Sequence, residues 1–229
     1  AYGSELMVLK ALDATGRGKD ASVSQAIVYA VDHGASVINL SLGQYTPDAS
    51  LFSALQYANE HGVIVAAAAG NNGSDSVNYP AAYAKIISNV IAVGATQNNQ
   101  GTCGMSAFSN HAGADTPYNF VDATGVDVLG IGLNGQEGYW SGTSMAAPFI
   151  SAEAAILKQA KPSASAIEIV QAITHSAQSI SLSAAGVHID LATSIQSNAQ
   201  STYSASTSSY HSDSLSTHFA SYVPTEQYV

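Results

Sequence analysis

Apolar residues alternate between two spacings along the first hundred positions. Leu6 to Leu12 (LMVLKAL) is a short, almost wholly apolar run, the pattern of a buried strand. After a turn-rich stretch from Asp13 to Asp20, apolar residues fall at Val23, Ala26, Ile27, Ala30 and Val31. That i, i+3, i+4, i+7, i+8 spacing predicts a helix with Ser22 as its cap and Gly34 as its stop. Val37 to Leu40 reads as a second strand, ending in Ser41-Leu42-Gly43. A second helix is predicted from about Asp48 to Glu60, with Leu51, Ala54, Leu55 and Ala58 inward and Gly62 after it. Val63 to Ala69 is nearly all apolar, as expected of a parallel strand covered on both faces. This alternation predicts an α/β fold with a parallel sheet and right-handed crossovers.

Val90 to Ala95 reads as a fourth strand, and Thr96 to Glu137, rich in Gly, Asn and Asp, as irregular loops and short strands. A small-residue helix follows from about Thr143 to Lys161. A further helix opens at Pro162-Ser163 and carries Ile167, Val170, Ile173 and Thr174. From Ser197 the composition shifts to Ser, Thr, Tyr and His with almost no aliphatics. Residues 1–196 are therefore expected to form one domain, with 197–229 as a polar tail or linker that buries little.

Composition narrows the function. The chain of 229 residues is 46% hydrophobic and only 10% charged, which suits one compact core. A net charge of −10 with six Lys+Arg argues against nucleic acid, which needs a basic surface to neutralise phosphates. No run of 18 apolar residues is present, so no membrane span is predicted. Cys103 is the sole cysteine, which excludes an intrachain disulfide. The opening Ala-Tyr-Gly-Ser has neither the charged nor the apolar region of a signal peptide; a processed or truncated chain would look the same.

Candidate chemistry centres on Ser141-Gly142-Thr143-Ser144-Met145-Ala146-Ala147-Pro148. Thr143 or Ser144 can cap the helix that starts there. Equally, a serine hydroxyl at that end sits beside unpaired backbone N–H groups that can stabilise an oxyanion. Pro148 has no N–H, so the Ser144 carbonyl loses its intrahelical partner. In open α/β sheets ligands bind beyond the carboxyl ends of the strands. Gly16-Arg17-Gly18, Ser41-Leu42-Gly43 and Ala68-Ala69-Gly70-Asn71 lie at such ends, each with a glycine that permits close backbone approach. Asn71 reads either as an amide donor for an oxyanion or as the first residue of an Asn-Asn-Gly turn.

SGTSMAAP (Ser141 to Pro148) resembles the nucleophile motif of the subtilisin-like serine proteases, the subtilases. VINLSLG (Val37 to Gly43), VAAAAGN (Val65 to Asn71), LDATGRG (Leu12 to Gly18) and YPAAY (Tyr79 to Tyr83) resemble further motifs of that family, in order, over residues 4–193. The resemblance implies a subtilisin-like, doubly wound α/β fold: a mostly parallel sheet with helices on both faces. It implies Ser144 as nucleophile and Asn71 as oxyanion donor. Ser41, Leu42 and Gly43 would line one side of a peptide substrate, and Gly16, Arg17 and Gly18 the other. Ala68, Ala69 and Gly70 would wall the pocket for the side chain preceding the scissile bond. Peptide hydrolysis through an acyl-enzyme needs no cofactor. Subtilases often carry structural calcium, but Asp75, Asp115, Asp122, Asp127 and Glu137, read as loop residues, show no compact ligand spacing, so no metal site is assigned. The family's secreted character extends to this chain as an expectation.

Two family motifs are not in these residues. In subtilases the order is Asp…His…Ser, yet neither an Asp-Ser/Thr-Gly nor a His-Gly-Thr-His sequence occurs here. Ala1 to Leu6 resembles the tail of the segment after the histidine motif. An N-terminally incomplete subtilase is therefore expected, inactive alone, whose partners are peptide substrates and a segment upstream that carries the Asp and His. The alternative is a peptide-binding chain without catalysis. His33 and His61, each before a helix-ending glycine, read as helix-end residues. Phe149 and Glu153 depart from the family pattern beside the serine. An esterase of the α/β-hydrolase type, with Ser144, Asp190 and His211 or His218, would need a buried strand directly before the serine; Asn134 to Trp140 is too polar. Arg17 is read as an exposed loop charge or as a selector of acidic substrate side chains.

Overall fold

The computed structural model describes residues 1, 3–99, 102–113, 118–132 and 135–176. Seven strands and four helices run β1 (Val37–Leu40), β2 (Ile64–Ala68), β3 (Val90–Asn99), β4 (Thr102–Met105), β5 (Phe120–Thr124), β6 (Val128–Ile131) and β7 (Glu137–Trp140), with α1 (Asp20–Asp32), α2 (Ala49–Glu60), α3 (Thr143–Ala160) and α4 (Ala166–Ser176). A 3-10 turn covers Ala81–Lys85. β1, β2, β3 and β5 are parallel neighbours, and β4 folds back antiparallel on the end of β3. β6 and β7 form a separate antiparallel pair. The mostly parallel sheet carries helices on both faces, a doubly wound α/β fold.

The sheet divides the core in two. Alternate residues of β2 point to opposite sides. Val63, Val65, Ala67 and Ala69 pack with α1 and α2, while Ile64, Ala66 and Ala68 pack with α3 and α4. Both faces are covered, so the strand reads as continuous apolar sequence instead of alternating. On α1, Val23, Ile27, Ala30 and Val31 are buried, and on α2 Leu51, Ala54, Leu55 and Ala58, as the periodicity predicts. Asp48 caps α2 by accepting the Leu51 N–H at 2.8 Å. Both helices end before a glycine with positive φ, Gly34 (82°) and Gly62 (68°).

Several expectations are corrected. Leu6–Leu12 is not a strand: Leu6 and Val8 are 78% and 85% exposed, and only Leu9, Ala11 and Leu12 pack against the core. Apolar composition cannot make a strand where no neighbour among the described residues supplies a ladder. α1 starts at Asp20, before Ser22, with an acidic residue in its first turn. α4 starts at Ala166, where Ser165 and Glu168 form a reciprocal capping box (Ser165 N–H to Glu168 Oε2 2.7 Å; Glu168 N–H to Ser165 Oγ 3.3 Å). Ile167 faces solvent there and Ile169 takes the inward place. Asp122 and Glu137, read as loop residues, lie in β5 and β7, Asp122 buried. β5 is one of the short strands within the stretch read as irregular loops and short strands, and it pairs parallel with β3. The tail from 197 lies outside the described residues, as do Asp115, His188, Asp190, His211 and His218. Among the described residues, no helix is long and apolar enough to cross a membrane.

Candidate active site

The site forms where β1 and β2 end and α3 begins. Neither Thr143 nor Ser144 caps α3. The capping position falls on Gly142, whose side makes no cap bond. Asn71 does that work from across the fold: its Oδ1 accepts the Thr143 backbone N–H at 2.8 Å and the Thr143 hydroxyl at 3.0 Å. Thr143 Oγ1 in turn accepts the Gly70 N–H at 3.1 Å. These bonds turn the carbonyl end of the Asn71 amide toward the helix and set its donor end, Nδ2, beside Gly142. A methyl group on Gly142 would sit 3.3 Å from that nitrogen. Sequence reasoning missed Thr143 as the link between Asn71 and α3, because a Thr at a helix start reads first as a cap.

Pro148 leaves the Ser144 carbonyl without its intrahelical donor, and the structure supplies another. The Ser41 hydroxyl donates to Ser144 O at 2.7 Å. In the other direction, the Ser144 hydroxyl donates to Ser41 O at 3.4 Å, a long contact. Ser144 is half-buried. The serine is thus fixed against the end of β1, its hydroxyl at the start of α3, where the N–H groups of the first turn have no intrahelical acceptor.

A cavity of about 620 Å³ opens in front of it. Of the residues picked from sequence, Gly16, Arg17, Gly18, Ser41, Leu42, Gly43, Ala68, Gly70, Asn71 and Ser144 line this one space. Ala69 does not: it is wholly buried and faces the α1–α2 side of the sheet. Residues that the sequence reading passed over also line it, among them Gln44, Tyr45, Asn78, Tyr79, Thr143 and Met145. The 43–46 loop is tied to 78–80 by paired backbone bonds, Gln44 N–H to Tyr79 O (2.8 Å) and Tyr79 N–H to Gln44 O (2.9 Å). Asn72 Nδ2 donates to the Tyr45 hydroxyl at 3.1 Å, bridging two rims. The YPAAY resemblance was the available signal for 78–80.

The opposite wall is a local loop. Asp13 Oδ1 accepts the Thr15 N–H (2.8 Å), the Thr15 hydroxyl (2.7 Å) and the Arg17 N–H (3.1 Å). The Thr15 hydroxyl, then the Arg17 and Thr15 N–H groups, hold the Asp13 carboxyl below its usual range.

No described histidine lines the cavity. His33, His61 and His175 each bond through Nδ1 to the carbonyl four residues back (2.8, 2.8 and 2.9 Å), at helix ends. His111 follows Asn110 in a loop. Among the described residues no three His, Cys, Asp or Glu side chains group as metal ligands. The strand before the serine is β7, among the described residues paired only with β6 and half-exposed, so the esterase arrangement is not met there. Glu153 is buried on α3.

Fold, serine-bearing helix and cleft together define a subtilisin-like fold class. The chain belongs to the subtilase family, whose sequence model matches residues 1–205. It is 36% identical over 187 residues to subtilisin BL of Lederbergia lenta, covering 79% of this chain and 63% of that protein. It is 40% identical over 181 residues to the thermophilic serine proteinase of Bacillus sp. (strain AK1), covering 79% of this chain and 42% of that protein. Among solved structures, the protease domain of PatA, as a point mutant, superposes with a TM-score of 0.70 at 28% identity, over 82% of this chain and 68% of that one. The prenylagaramide maturation protease PagA superposes at 0.68 and 30% identity, over 80% and 69%. The chain thus spans 63% or less of these two curated relatives' own length.

Proposed function

We propose that this chain is the nucleophile-bearing part of a secreted serine endopeptidase. Its catalytic histidine and aspartate would come from a polypeptide segment outside these residues. The observation that carries this reading is the corner at which Ser144, Thr143 and Asn71 meet in front of the cavity. An extended peptide lies between the Ser41–Gly43 and Gly16–Gly18 walls, pairing through backbone groups. The supplied histidine takes the Ser144 proton as Oγ attacks the carbonyl. The resulting oxyanion is held by the Ser144 N–H and Asn71 Nδ2. The amine leaves with that proton, and water then releases the acyl group from Ser144.

Two features support the place of the absent segment. β1 pairs only with β2, so among the described residues its other edge carries no strand. Leu6 and Val8, next to the Gly16–Gly18 wall in sequence, expose apolar side chains that a neighbouring segment would cover. The second reading, a peptide-binding chain without catalysis, rests on the lack of any described histidine at the cavity. A fluorophosphonate probe on the full-length protein separates the two. Labelling at Ser144, lost in Ser144→Ala, is expected; a folded full-length protein that is never labelled would sink the endopeptidase reading.

A further inference from the structure

Asn78 lies at the floor of the cavity, 6% exposed, just ahead of the Tyr79–Pro80 peptide. A chain of hydrogen bonds fixes which way its amide points. Asn110 Oδ1 accepts two backbone N–H groups, from Asn72 (2.9 Å) and Ser74 (3.1 Å). That commits Asn110 Nδ2 to donating, to Ala69 O at 3.2 Å and to Asn78 Oδ1 at 3.3 Å. Asn78 must therefore present Oδ1 to Asn110 and turn Nδ2 the other way. That nitrogen has no hydrogen-bond partner and is buried. It sits between two cavity-lining glycines: a Cβ would be 2.6 Å from it if built on Gly70 and 4.0 Å if built on Gly43. Glycine at both places is what leaves the floor bare around this donor.

A buried donor with no acceptor is unfavourable, and the imbalance is relieved by whatever first brings it an oxygen. We propose that Asn78 makes the cavity select a substrate side chain ending in a carbonyl or carboxylate oxygen. Asn, Gln, Asp or Glu would then be preferred over Leu or Met of the same shape at the residue preceding the scissile bond. The remainder of the floor, Ala68 and the two glycines, offers volume without polarity, so this nitrogen decides between isosteres. The inference rests on the reading of the cavity as the pocket for that residue. An apolar side chain entering it would leave Nδ2 unpaired, as it already is, while an oxygen brought against it would pair with it. A neutral hydrogen bond set against an unmade buried one is worth roughly a five- to hundredfold ratio.

The test uses binding, so it does not depend on turnover. The full-length protein carrying Ser144→Ala is titrated calorimetrically with peptides identical except for Asn or Leu at their C-terminal residue. The Asn peptide is expected to bind about tenfold tighter. In Asn78→Ala the ratio falls to near one. In Asn78→Asp, which keeps the Asn110 bond but replaces the donor by an oxygen, a peptide ending in Asp, whose carboxylate only accepts, binds no tighter than the Leu peptide. Circular dichroism verifies the fold of each variant, and if Asn78→Asp does not fold the alanine variant decides. Equal binding of the two peptides, binding of neither, or a ratio unchanged in Asn78→Ala overturns the proposal. If Ser144 is never labelled by the probe yet the Asn peptide binds tighter, the endopeptidase reading fails and this one stands. Cleavage without discrimination gives the opposite result.

Discussion

The two walls of the cleft are built in different ways. One comprises Ser41–Gly43, Ala68–Asn71 and the start of α3. Its bonds join residues far apart in sequence, Ser41 to Ser144 and Asn71 to Thr143, and none of the groups in them ionises. The other, Gly16–Gly18, is held by contacts within five residues, all made by Asp13 through its carboxylate, its carbonyl and its own N–H. The first wall exists only when the sheet and both its helical layers are in place. The second is a small turn that needs little but its own aspartate. Attack on a carbonyl demands fixed geometry, and the residues proposed for that role sit on the wall made by the whole fold.

The largest effect that should separate the walls is loss of the nucleophile. In the full-length protein Ser144→Ala is expected to reduce kcat by about 10⁶, the magnitude known from subtilisin itself and borrowed here. Asn71→Ala should reduce kcat by about 10²–10³ with KM little changed, again by the subtilisin precedent. It should also destabilise the chain by about 1 kcal/mol in urea denaturation, because Thr143 loses the acceptor that caps α3. A change in kcat without a change in stability would contradict the cap. Gly70→Ala attacks the same wall through the backbone. With φ at +110° and the Asn78 and Asn110 amides against the new Cβ, a loss of about 2–4 kcal/mol is expected.

Acid should distinguish the walls directly. The folded Asp13 value lies below the unfolded one, so its contribution is complete above the ordinary carboxylate range and is lost as pH falls through the lowered value. Amide signals of residues 13–17 should therefore titrate below the ordinary carboxylate range, while those of 41–43, 70–71 and 143–144 show no matching step. Asp13→Ala should abolish the first change; a common titration of both walls would erase the contrast. The smallest effect is expected at Arg17, whose backbone N–H and carbonyl make hydrogen bonds that hold the loop. Arg17→Ala should leave the peptide-library profile unchanged, and a selective loss of cleavage beside acidic residues would show that this charge reads substrate.

How far the sequence was readable follows the same division. Helix faces with a 3.6-residue period and the fully apolar β2 were legible because burial on each face dictates residue type position by position. Ser144, Asn71 and the glycine-bearing strand ends were legible as a group through motif likeness, and the cavity gathers all of them except Ala69. Ala69 went wrong through strand parity: neighbours along a strand point to opposite faces, so Ala68 reaches the cleft and Ala69 the other core. Leu6–Leu12 went wrong because pairing is decided by partners, which composition does not record. Asn78 was invisible for a related reason. Its meaning lies in what Asn110 does with its own amide, 32 residues away.

Pro148 bears on the mechanics of the cleft. An ordinary helix would tie the Ser144 carbonyl to its own next turn. Here that carbonyl is tied to Ser41 at the end of β1 instead. The first turn of α3 is in this respect coupled to the sheet more than to the rest of its helix. If α3 flexes along its eighteen residues, the serine is held to travel with the strand end that a substrate would lie against. The distance between hydroxyl and incoming carbonyl would then be set by the sheet. A missing hydrogen atom, four residues beyond the serine, is what permits that linkage.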